Sequence, residues 1–546
     1  MTHIVGRRSA RSARTPLFGS LVRALRLARA ARRQSEKDRG AVIETAQSRL
    51  SRRSVLKEGA DGVLALSALP MLGACALPER AAGANPGGPR IAIVGGGIAG
   101  LTAGYYLKRR AGLDCEIFEA NGRTGGRIFT ARDLLAPGLT TELGGEFIDS
   151  AHDDMFALAK EFGFELIDTQ DASEIELAAE AYYFEGRHYS AAELVEAFIP
   201  LVERLAADVN SIDDRIDFEH DGGARAFDHL SLAQYFDTIG VTGWLRALLE
   251  VAYVTEFGLD AGDQSALNFL TMIPTEEPDG PLALLGESDE RYKILGGNQR
   301  IVDELARRLD GQIRLEHRLT RIRARGNGYA LSFDVPDGRP REIAADYVIM
   351  TIPFTLLRDV DLQVDLPEYK TRAIRELGYG QCAKVLAGFD TRPWRELGFA
   401  GNIFTDEPFQ LAWDNSRQQP SPSGGITFYS GGSPALRAVG ENIDDQAQRF
   451  LRSLEKAYPG SWARHNGRTA RFDWPHFAWS KGAYACYRPG QWTSISGAEK
   501  QSVGHLLFAG EHCSKDFQGF MNGGAETGRE AAESLIAMLI GKKHAA

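Results

Sequence analysis

The sequence predicts an α/β (α+β) fold made of two interleaved domains, and three observations support it. A β-branched run at 91–94 leads through the glycine-rich turn 95–100 into a helical pattern, as at the start of a βαβ unit. Near the other end, a short apolar strand at 507–509 runs through a second turn of small residues into a last helix. The chain has 546 residues, of which 43% are hydrophobic, so it can bury more than one core.

The first βαβ unit carries a dinucleotide-binding pattern. Gly95 makes the tight turn, Gly97 admits a pyrophosphate, and Gly100 lets the helix pack closely on the strand. A second strand at 115–118 ends in Glu119, which is placed to accept hydrogen bonds from a ribose. The order of strand, glycines, helix, strand and acid predicts a Rossmann-like dinucleotide-binding domain.

The segment after this acid indicates which dinucleotide binds. Residues 119–127 form an E-A-x4-G-G-R run, which resembles the second motif of flavoproteins of the amine oxidase and desaturase superfamily. The sequence ELGGEFI at 142–148 extends the resemblance. It implies FAD as the cofactor, with these binding residues: Gly126, Arg127, Gly145 and Glu146.

The middle of the chain predicts how the two domains alternate. Residues 151–285 mix helical patterns with acidic loops, whereas 286–354 return to a helix and strands that suit the first domain. On the predicted strand 313–322, Leu319 is expected to contact the cofactor. The expected FAD-binding domain comprises 90–150, 286–354 and 471–542, and the expected substrate-binding domain comprises 151–285 and 355–470.

Lys384 is the first candidate for chemistry. It stands in the apolar run 381–389, and the strand alone favours an edge lysine that points into solvent. Trp474 and the segment 480–490 follow further along the chain. With the C-terminal stretch 507–528, this order resembles flavin amine oxidases, which include monoamine, polyamine and L-amino-acid oxidases, over about residues 90–540.

This resemblance implies a catalytic set. In that family such a lysine holds a water beside flavin N5, which assigns this role to Lys384. A tryptophan packs near the ring, matching Trp474, and two facing aromatic side chains match Tyr484 and Phe520. Phe520 departs from the pattern, because tyrosine is usual there.

The same resemblance implies further cofactor contacts in the C-terminal turn. Gly510 and Glu511 lie at the turn, with Glu511 bonded to the ribityl chain, and the Met521 backbone reaches the carbonyl edge of the flavin. Ala483 stands where monoamine oxidases have a flavin-linked cysteine. We therefore expect the FAD to be noncovalent.

The expected reaction oxidises a primary amine or L-amino acid to an imine, which hydrolyses to an aldehyde or keto acid and ammonia. The flavin carries the electrons, and O2 is reduced to H2O2. Phe147 stands about where L-amino-acid oxidases carry a carboxylate-binding arginine, which favours a simple amine. Two alternatives stay open: an arginine from another loop that takes this role, and a cationic substrate, which Glu146 and the acidic body would suit. The alternatives are a quinone-linked flavin dehydrogenase or desaturase and a non-catalytic flavin-binding module.

Charge and cysteine content limit the other partners. Residues 1–57 carry 15 Lys and Arg against 3 Asp and Glu, whereas the other 489 residues carry 48 and 70. An acidic body is unsuited to phosphate backbones, so no nucleic-acid partner is expected. The five cysteines form no CxxC pair, so neither a metal site nor a disulfide framework is expected. A dimer is consistent with the sequence, which does not fix the oligomeric state.

Residues 1–89 are expected to hold a basic extension, an export signal and a linker. The run SRRSVLK at 51–57 resembles the twin-arginine signal, and the apolar run 62–72 after it is too short to span a membrane. LGAC at 72–75 resembles a bacterial lipobox, so Cys75 is a candidate lipid anchor, with a plain cleavage site as the alternative. The protein is expected to be exported, as a periplasmic or membrane-anchored lipoprotein.

Overall fold

A computed structural model describes residues 16–32, 88–174, 176–273 and 290–545. The twin-arginine run at 51–57 and Cys75 lie outside the described residues. Within the described part of the chain, no helix is both long enough and apolar enough to cross a membrane.

The strands, in chain order, are β1 (Ile91–Val94), β2 (Glu116–Phe118), β3 (Thr130–Arg132), β4 (Thr140–Glu142), β5 (Leu166–Asp168), β6 (Ala178–Phe184), β7 (Arg187–Tyr189), β8 (Tyr292–Ile294), β9 (Ile313–Arg314), β10 (Arg318–Arg325), β11 (Gly328–Asp334), β12 (Arg341–Ala345), β13 (Tyr347–Met350), β14 (Asp361–Gln363), β15 (Cys382–Phe389), β16 (Phe399–Thr405), β17 (Leu411–Asp414), β18 (Gly424–Gly431), β19 (His465–Asp473) and β20 (Leu506–Phe508).

The α-helices are α1 (Pro16–Arg32), α2 (Ile98–Ala111), α3 (Asp153–Glu161), α4 (Ala191–Phe198), α5 (Val202–Asn210), α6 (Arg225–Asp228), α7 (Leu232–Thr238), α8 (Gly243–Phe257), α9 (Leu267–Leu270), α10 (Gln299–Arg308), α11 (Phe354–Leu357), α12 (Glu368–Glu376), α13 (Pro393–Glu396), α14 (Gly432–Val439), α15 (Ile443–Ala457), α16 (Ser461–Arg464) and α17 (Met521–Ala545).

A five-stranded sheet in the order β20-β13-β1-β2-β9 is parallel throughout. Its central strand β1 is buried along its whole length, which explains its run of apolar residues. Helix α2 follows β1 and packs against the C-terminal helix α17. The predicted α/β fold with a Rossmann-like sheet is therefore confirmed.

A second, antiparallel sheet in the order β12-β11-β10-β14 flanks this unit, apart from the parallel pairing of β14. Leu319 lies in β10, opposite Phe333 of β11, and both side chains are buried in the core. In this sheet, β10 from the 318–345 segment pairs with β14, which comes from the 355–470 segment.

The largest sheet has seven strands in the order β19-β15-β18-β17-β16-β6-β7. Strand β15 has a neighbour on each side, and every one of its residues is buried. The edge-strand interpretation of Lys384 is therefore wrong. The run 381–389 is apolar because it is an interior strand, and its lysine faces a polar interior.

The basic N-terminal extension contains a helix that the sequence analysis did not predict. Helix α1 packs against α4, the turn Ile199–Leu201 and α5. Its buried residues recur every three or four positions, which is the pattern of one helix face. They are Leu21, Ala24, Leu27, Ala28 and Ala31.

Candidate active site

One elongated cavity runs from the turn after β1 to the middle of the seven-stranded sheet. Its walls come from segments far apart in sequence, including Gly95–Ala99, Gly125–Ile128, Gly144–Phe147 and Gly519–Met521. Fourteen of the sixteen residues that the sequence assigned to the site line this cavity. They are Gly95, Gly97, Glu119, Gly126, Arg127, Gly145, Glu146, Lys384, Trp474, Tyr484, Gly510, Glu511, Phe520 and Met521.

Two of the assigned residues do not line the cavity. Leu319 packs in the core between β10 and β11. Gly100 lies in α2, where an added Cβ would stand 2.0 Å from the Gly95 carbonyl oxygen. Gly100 therefore serves the close packing of helix on strand, as its spacing predicted.

The glycine-rich turn forms one end of the cavity. Gly95 has a φ of +112°, and a Cβ there would lie 2.5 Å from Thr351 Oγ1. Gly97 precedes α2 without any side-chain cap, so no capping side chain occupies the first N–H groups of α2, and Ile98 and Ala99 of its first turn line the cavity. A Cβ on Gly126 would lie 3.4 Å from the Gly97 Cα, so the two glycine backbones meet closely. This arrangement fits a pyrophosphate.

Glu119 stands beside this turn. Its carboxylate accepts hydrogen bonds from the backbone N–H groups of Gly96 and Asn121, each at 2.7 Å. Burial raises the pKa of Glu119, although these backbone donors act in the opposite direction. The carboxyl group is thereby held in place at the end of β2, where a ribose hydroxyl would meet it.

Arg127 and Glu511 join three cavity segments. Arg127 Nη1 lies 2.7 Å from Glu511 Oε1 and donates to the Ala483 carbonyl oxygen, also at 2.7 Å. Glu511 Oε2 accepts the backbone N–H of Gly519 at 2.8 Å. Gly145 is pressed against the start of α17, since its Cβ would lie 2.8 Å from Met521 Cγ.

Lys384 is buried at the far part of the cavity, with 4% of its surface exposed. Its Nζ donates to the carbonyl oxygens of Glu142 at 2.9 Å and Gly144 at 3.0 Å. The third contact is an ion pair with Glu146 Oε2 at 3.0 Å. Glu146 has a second cation, because Lys293 Nζ lies 3.2 Å from its Oε1. Burial raises the pKa of Glu146, but Lys384 and Lys293 outweigh it and the pKa is lowered.

Aromatic side chains surround this part of the cavity. Tyr484 Oη lies 2.9 Å from Tyr429 Oη, and the Tyr429 ring is 5.5 Å from Trp413. Phe147 is 5.9 Å from Trp413, and Phe520 packs on the buried His152 at 4.8 Å. All but His152 line the cavity.

Sequence reasoning missed Trp413 and Tyr429. Tyr429 is paired directly with Lys384 across β15 and β18, and Trp413 lies on β17, the next strand. Both are aromatic residues on buried strands, which is also the pattern of an ordinary core. Only the strand order reveals that they face the lysine.

Trp474 borders the same region. Its Nε1 donates to the Leu143 carbonyl oxygen at 3.0 Å, and its ring packs on Phe472 and Phe477 at 4.7 and 5.4 Å. A Cβ on Gly144 would stand 3.1 Å from Trp474 Cζ2. The tryptophan therefore helps to fix the backbone of Gly144 and Gly145, the two glycines that precede Glu146.

The donor set fits FAD along its length. Glu119 and the N-terminus of α2 suit the adenosine ribose and the pyrophosphate, and Lys384 and the aromatic walls suit the flavin end. Ala483 lines the cavity, and no cysteine is among its described lining residues, which suits a noncovalent cofactor. No group of His, Cys, Asp and Glu within the described ranges could hold a metal ion.

Known proteins share this fold. Cyclohexylamine oxidase from Brevibacterium oxydans IH-35A superposes with a TM-score of 0.72 at 22% identity, covering 83% of this chain and 99% of that one. Putrescine oxidase bound to putrescine gives a TM-score of 0.69 at 21% identity, covering 82% and 99%.

Sequence comparison identifies the family. The chain is 23% identical over 469 residues to the flavin-containing amine oxidase of Oncorhynchus mykiss, covering 82% of this chain and 85% of that protein. It is 24% identical over 472 residues to flavin-containing amine oxidase B of Canis lupus familiaris, covering 82% and 86%. The sequence profile for flavin containing amine oxidoreductase matches residues 98–536. With a match over most of its length, the chain belongs to the flavin-containing amine oxidoreductase family.

Proposed function

We propose that this flavin-containing amine oxidoreductase oxidises a primary amine that carries no carboxylate, with O2 as the electron acceptor. The supporting observation is the lining of the Lys384 end of the cavity. Arg127 is the only arginine among the described lining residues, and Glu511 and a carbonyl oxygen already hold it. Phe147 packs on Trp413 at the position where a carboxylate clamp was expected. An apolar wall favours a substrate without a carboxylate.

The overall reaction consumes the amine, O2 and water, and releases an aldehyde, ammonia and H2O2. FAD is the cofactor of this chain, and the chemistry it supplies when bound is the acceptance of two electrons from the α C–H bond. Glu119, the α2 N-terminus and the Arg127–Glu511 pair would hold it.

The remaining roles belong to side chains of the protein. Trp413, Tyr429, Tyr484 and Phe520 form apolar faces that orient the amine and exclude water from it. Lys384 provides a fixed positive charge at the wall. Proton transfer needs no dedicated base if the amine enters uncharged between the aromatic faces.

A second candidate substrate is an amine that carries a second ammonium group. Glu290 favours it, because this carboxyl residue is buried and lines the same cavity. Glu146 is a weaker candidate for this contact, since two lysines already neutralise its charge. Carboxylate recognition of a distal ammonium would then select diamines over monoamines.

The decisive experiment is a substrate panel of monoamines, diamines and L-amino acids with the purified holoenzyme. Peroxide release and anaerobic flavin bleaching are recorded for each compound. Bleaching and peroxide with monoamines are the expected result, and activity confined to L-amino acids would overturn the proposal. Bleaching followed by slow reoxidation in O2 would indicate a quinone-linked dehydrogenase. No bleaching with any compound would indicate a non-catalytic flavin-binding module.

The Glu290→Gln variant separates the two substrate candidates. If Glu290 binds a second ammonium, the KM for diamines rises in this variant while the KM for monoamines is unchanged. Glu196→Gln, at an exposed carboxyl group on α4, is the matched control. Equal effects on both amine classes would remove the diamine candidate.

We further propose that the twin-arginine run exports the protein and that Cys75 is lipid-modified. Arg52→Lys with Arg53→Lys should retain the protein in the cytoplasm in cell fractionation. Cys75→Ala should leave export intact and move the protein from the membrane to the soluble periplasmic fraction. Export that survives the double arginine change would contradict the signal.

A further inference from the structure

All three hydrogen-bond donors of Lys384 are engaged by the protein. A lysine ammonium has three donors, and here two reach carbonyl oxygens while the third reaches the Glu146 carboxylate. These three contacts fix the position of the Lys384 ammonium at the cavity wall.

Lys293 is the second cation of this arrangement. It lies on β8, is 5% exposed and does not line the cavity. Its Nζ contacts Glu146 Oε1 and the Asn415 carbonyl oxygen, both at 3.2 Å, and lies 5.5 Å above the Phe147 ring. We name Lys293, Glu146 and Lys384 the lysine–glutamate triad. With two ammonium groups and one carboxylate, its net charge is +1.

The second lysine matters because Glu146 is buried. Burial alone would protonate a carboxyl group there, and each lysine opposes this. Glu142 is another titratable group that acts on the triad. It accepts from Asn298 N and Thr130 Oγ1, and burial raises its pKa to about 7. Lys293 therefore lowers the pKa of Glu146 further than Lys384 alone does, which keeps Glu146 ionised and bonded to Lys384.

We propose that Lys293 is a positioning residue that acts through Glu146 and fixes Lys384 as a fully hydrogen-bonded ammonium at the cavity wall. Lys384 then works in this enzyme as a fixed positive charge. The proposal rests on the flavin site of the proposed function. It does not depend on which amine is oxidised.

The affinity of the bound flavin for sulfite depends on this charge, and it can be measured without any amine. Sulfite is an anion that bleaches the flavin reversibly, so a positive charge nearby strengthens its binding. In Lys293→Met the ionised triad loses one positive charge and becomes neutral. Sulfite should then bind about tenfold more weakly or worse at neutral pH.

The pH profile tests whether Glu146 is the group through which Lys293 acts. In Lys293→Met, Glu146 keeps a single lysine, so its pKa rises and it protonates as the pH falls. Protonation restores the net charge of +1, and the ratio of variant to wild-type sulfite affinity should climb back towards one at acid pH. Taking the ratio cancels the ionisation of sulfite itself.

Three further variants complete the test. Lys293→Arg keeps the charge and should restore the wild-type profile. Glu146→Gln removes the anion and should strengthen sulfite binding at neutral pH, opposite in sign to Lys293→Met. Lys370→Met removes another fully buried lysine, one that does not line the cavity, and should leave the profile unchanged.

A pH-independent affinity ratio for Lys293→Met, or a Lys370→Met profile with the same shape, would overturn the proposal. If Lys293→Met does not bind FAD, the other two variants decide the proposal. Stronger sulfite binding in Glu146→Gln together with a wild-type profile in Lys293→Arg supports it, and any other pair of results overturns it. If the wild type does not bleach with sulfite, the flavin reduction potential is measured against pH in the same variants. A wild type that responds to sulfite but oxidises no amine refutes the proposed function and leaves this test valid.

Discussion

A lysine inside a β-sheet is stable only when its charge is matched, and Lys384 meets this condition. An isolated buried ammonium would lose its proton, whereas here a carboxylate and two carbonyl oxygens surround it. The same contacts fix the direction of its side chain. Charge and position are therefore set by the protein before any ligand enters.

Replacing Lys384 by Met should keep FAD bound but slow amine turnover by about 10²–10³-fold, the scale of losing one preorganised electrostatic contact. Flavin content is measured by absorbance and turnover by peroxide release. Lys481→Met is the control, because Lys481 is exposed and pairs with Asp359 on the surface. Unchanged turnover in Lys384→Met would argue for a non-catalytic flavin module.

At the scale of elements, close packing explains the glycines around α2. Gly100 brings the first turn of α2 against the Gly95 carbonyl oxygen, and Gly528 does the same for α17, where a Cβ would lie 2.2 Å from the Ala99 carbonyl oxygen. The two helices thus meet around the dinucleotide turn. Side chains at these positions would push the helix N-terminus away from the cavity.

Gly100→Ala should therefore lower both FAD content and the melting temperature, because its Cβ has no room beside the Gly95 carbonyl oxygen. Gly122→Ala is the matched control, since a Cβ on Gly122 meets no atom within 4 Å. Absorbance of the purified protein gives the FAD content, and circular dichroism gives the melting temperature. Wild-type behaviour of Gly100→Ala would contradict the packing argument.

Local patterns account for the part of the site that could be predicted from the sequence. The β1 turn, α2 and Glu119 lie within 30 residues, so their spacing alone brings them together. The residues around Lys384 are brought together by the order of the strands, which no local sequence pattern indicates. Trp413, Tyr429 and Lys293 were therefore not predicted. Helix α1 was missed for another reason, since its arginine content masked the apolar spacing of Leu21, Ala24 and Ala28.

At the scale of the whole molecule, buried ionisable groups make stability depend on pH. Lys370 is fully buried and donates to the Glu499 carbonyl oxygen at 2.7 Å, and Glu499 Oε1 accepts from Tyr487 Oη at 2.9 Å. Burial raises the pKa of Glu499 to about 7 and lowers that of Lys370 to about 8. His512 acts in the opposite sense to Glu499, because burial lowers the pKa of His512 to about 4.

Glu499 should destabilise the fold as the pH rises. Its folded pKa lies above the unfolded value of about 4.3, so its contribution is complete below that value and is lost as the pH rises through about 7. Glu499→Gln removes this loss, so its melting temperature should fall less than that of the wild type between about pH 5 and about pH 8. Glu196→Gln is the exposed control, and equal slopes in all three proteins would contradict the prediction.

Helix α1 should contribute to stability through its buried leucines. Leu21→Ala with Leu27→Ala should lower the free energy of unfolding, by about 1.5–3 kcal/mol for each leucine. Arg32→Ala breaks only the exposed pair with Glu203 and should leave stability unchanged. Denaturant unfolding of the full chain compares the three proteins. Equal unfolding midpoints would show that α1 is not bound in solution.

The position of α1 has a consequence for maturation. The helix precedes the twin-arginine run in the chain, yet it packs on α4 and α5 of the folded body. A cut near Cys75 would therefore break the covalent link between α1 and the folded body, but it would not by itself break the packing contact between them. If the chain were cut there, only packing contacts such as the burial of Leu21 and Leu27 would hold α1 on α4 and α5, and the helix would leave once these contacts open.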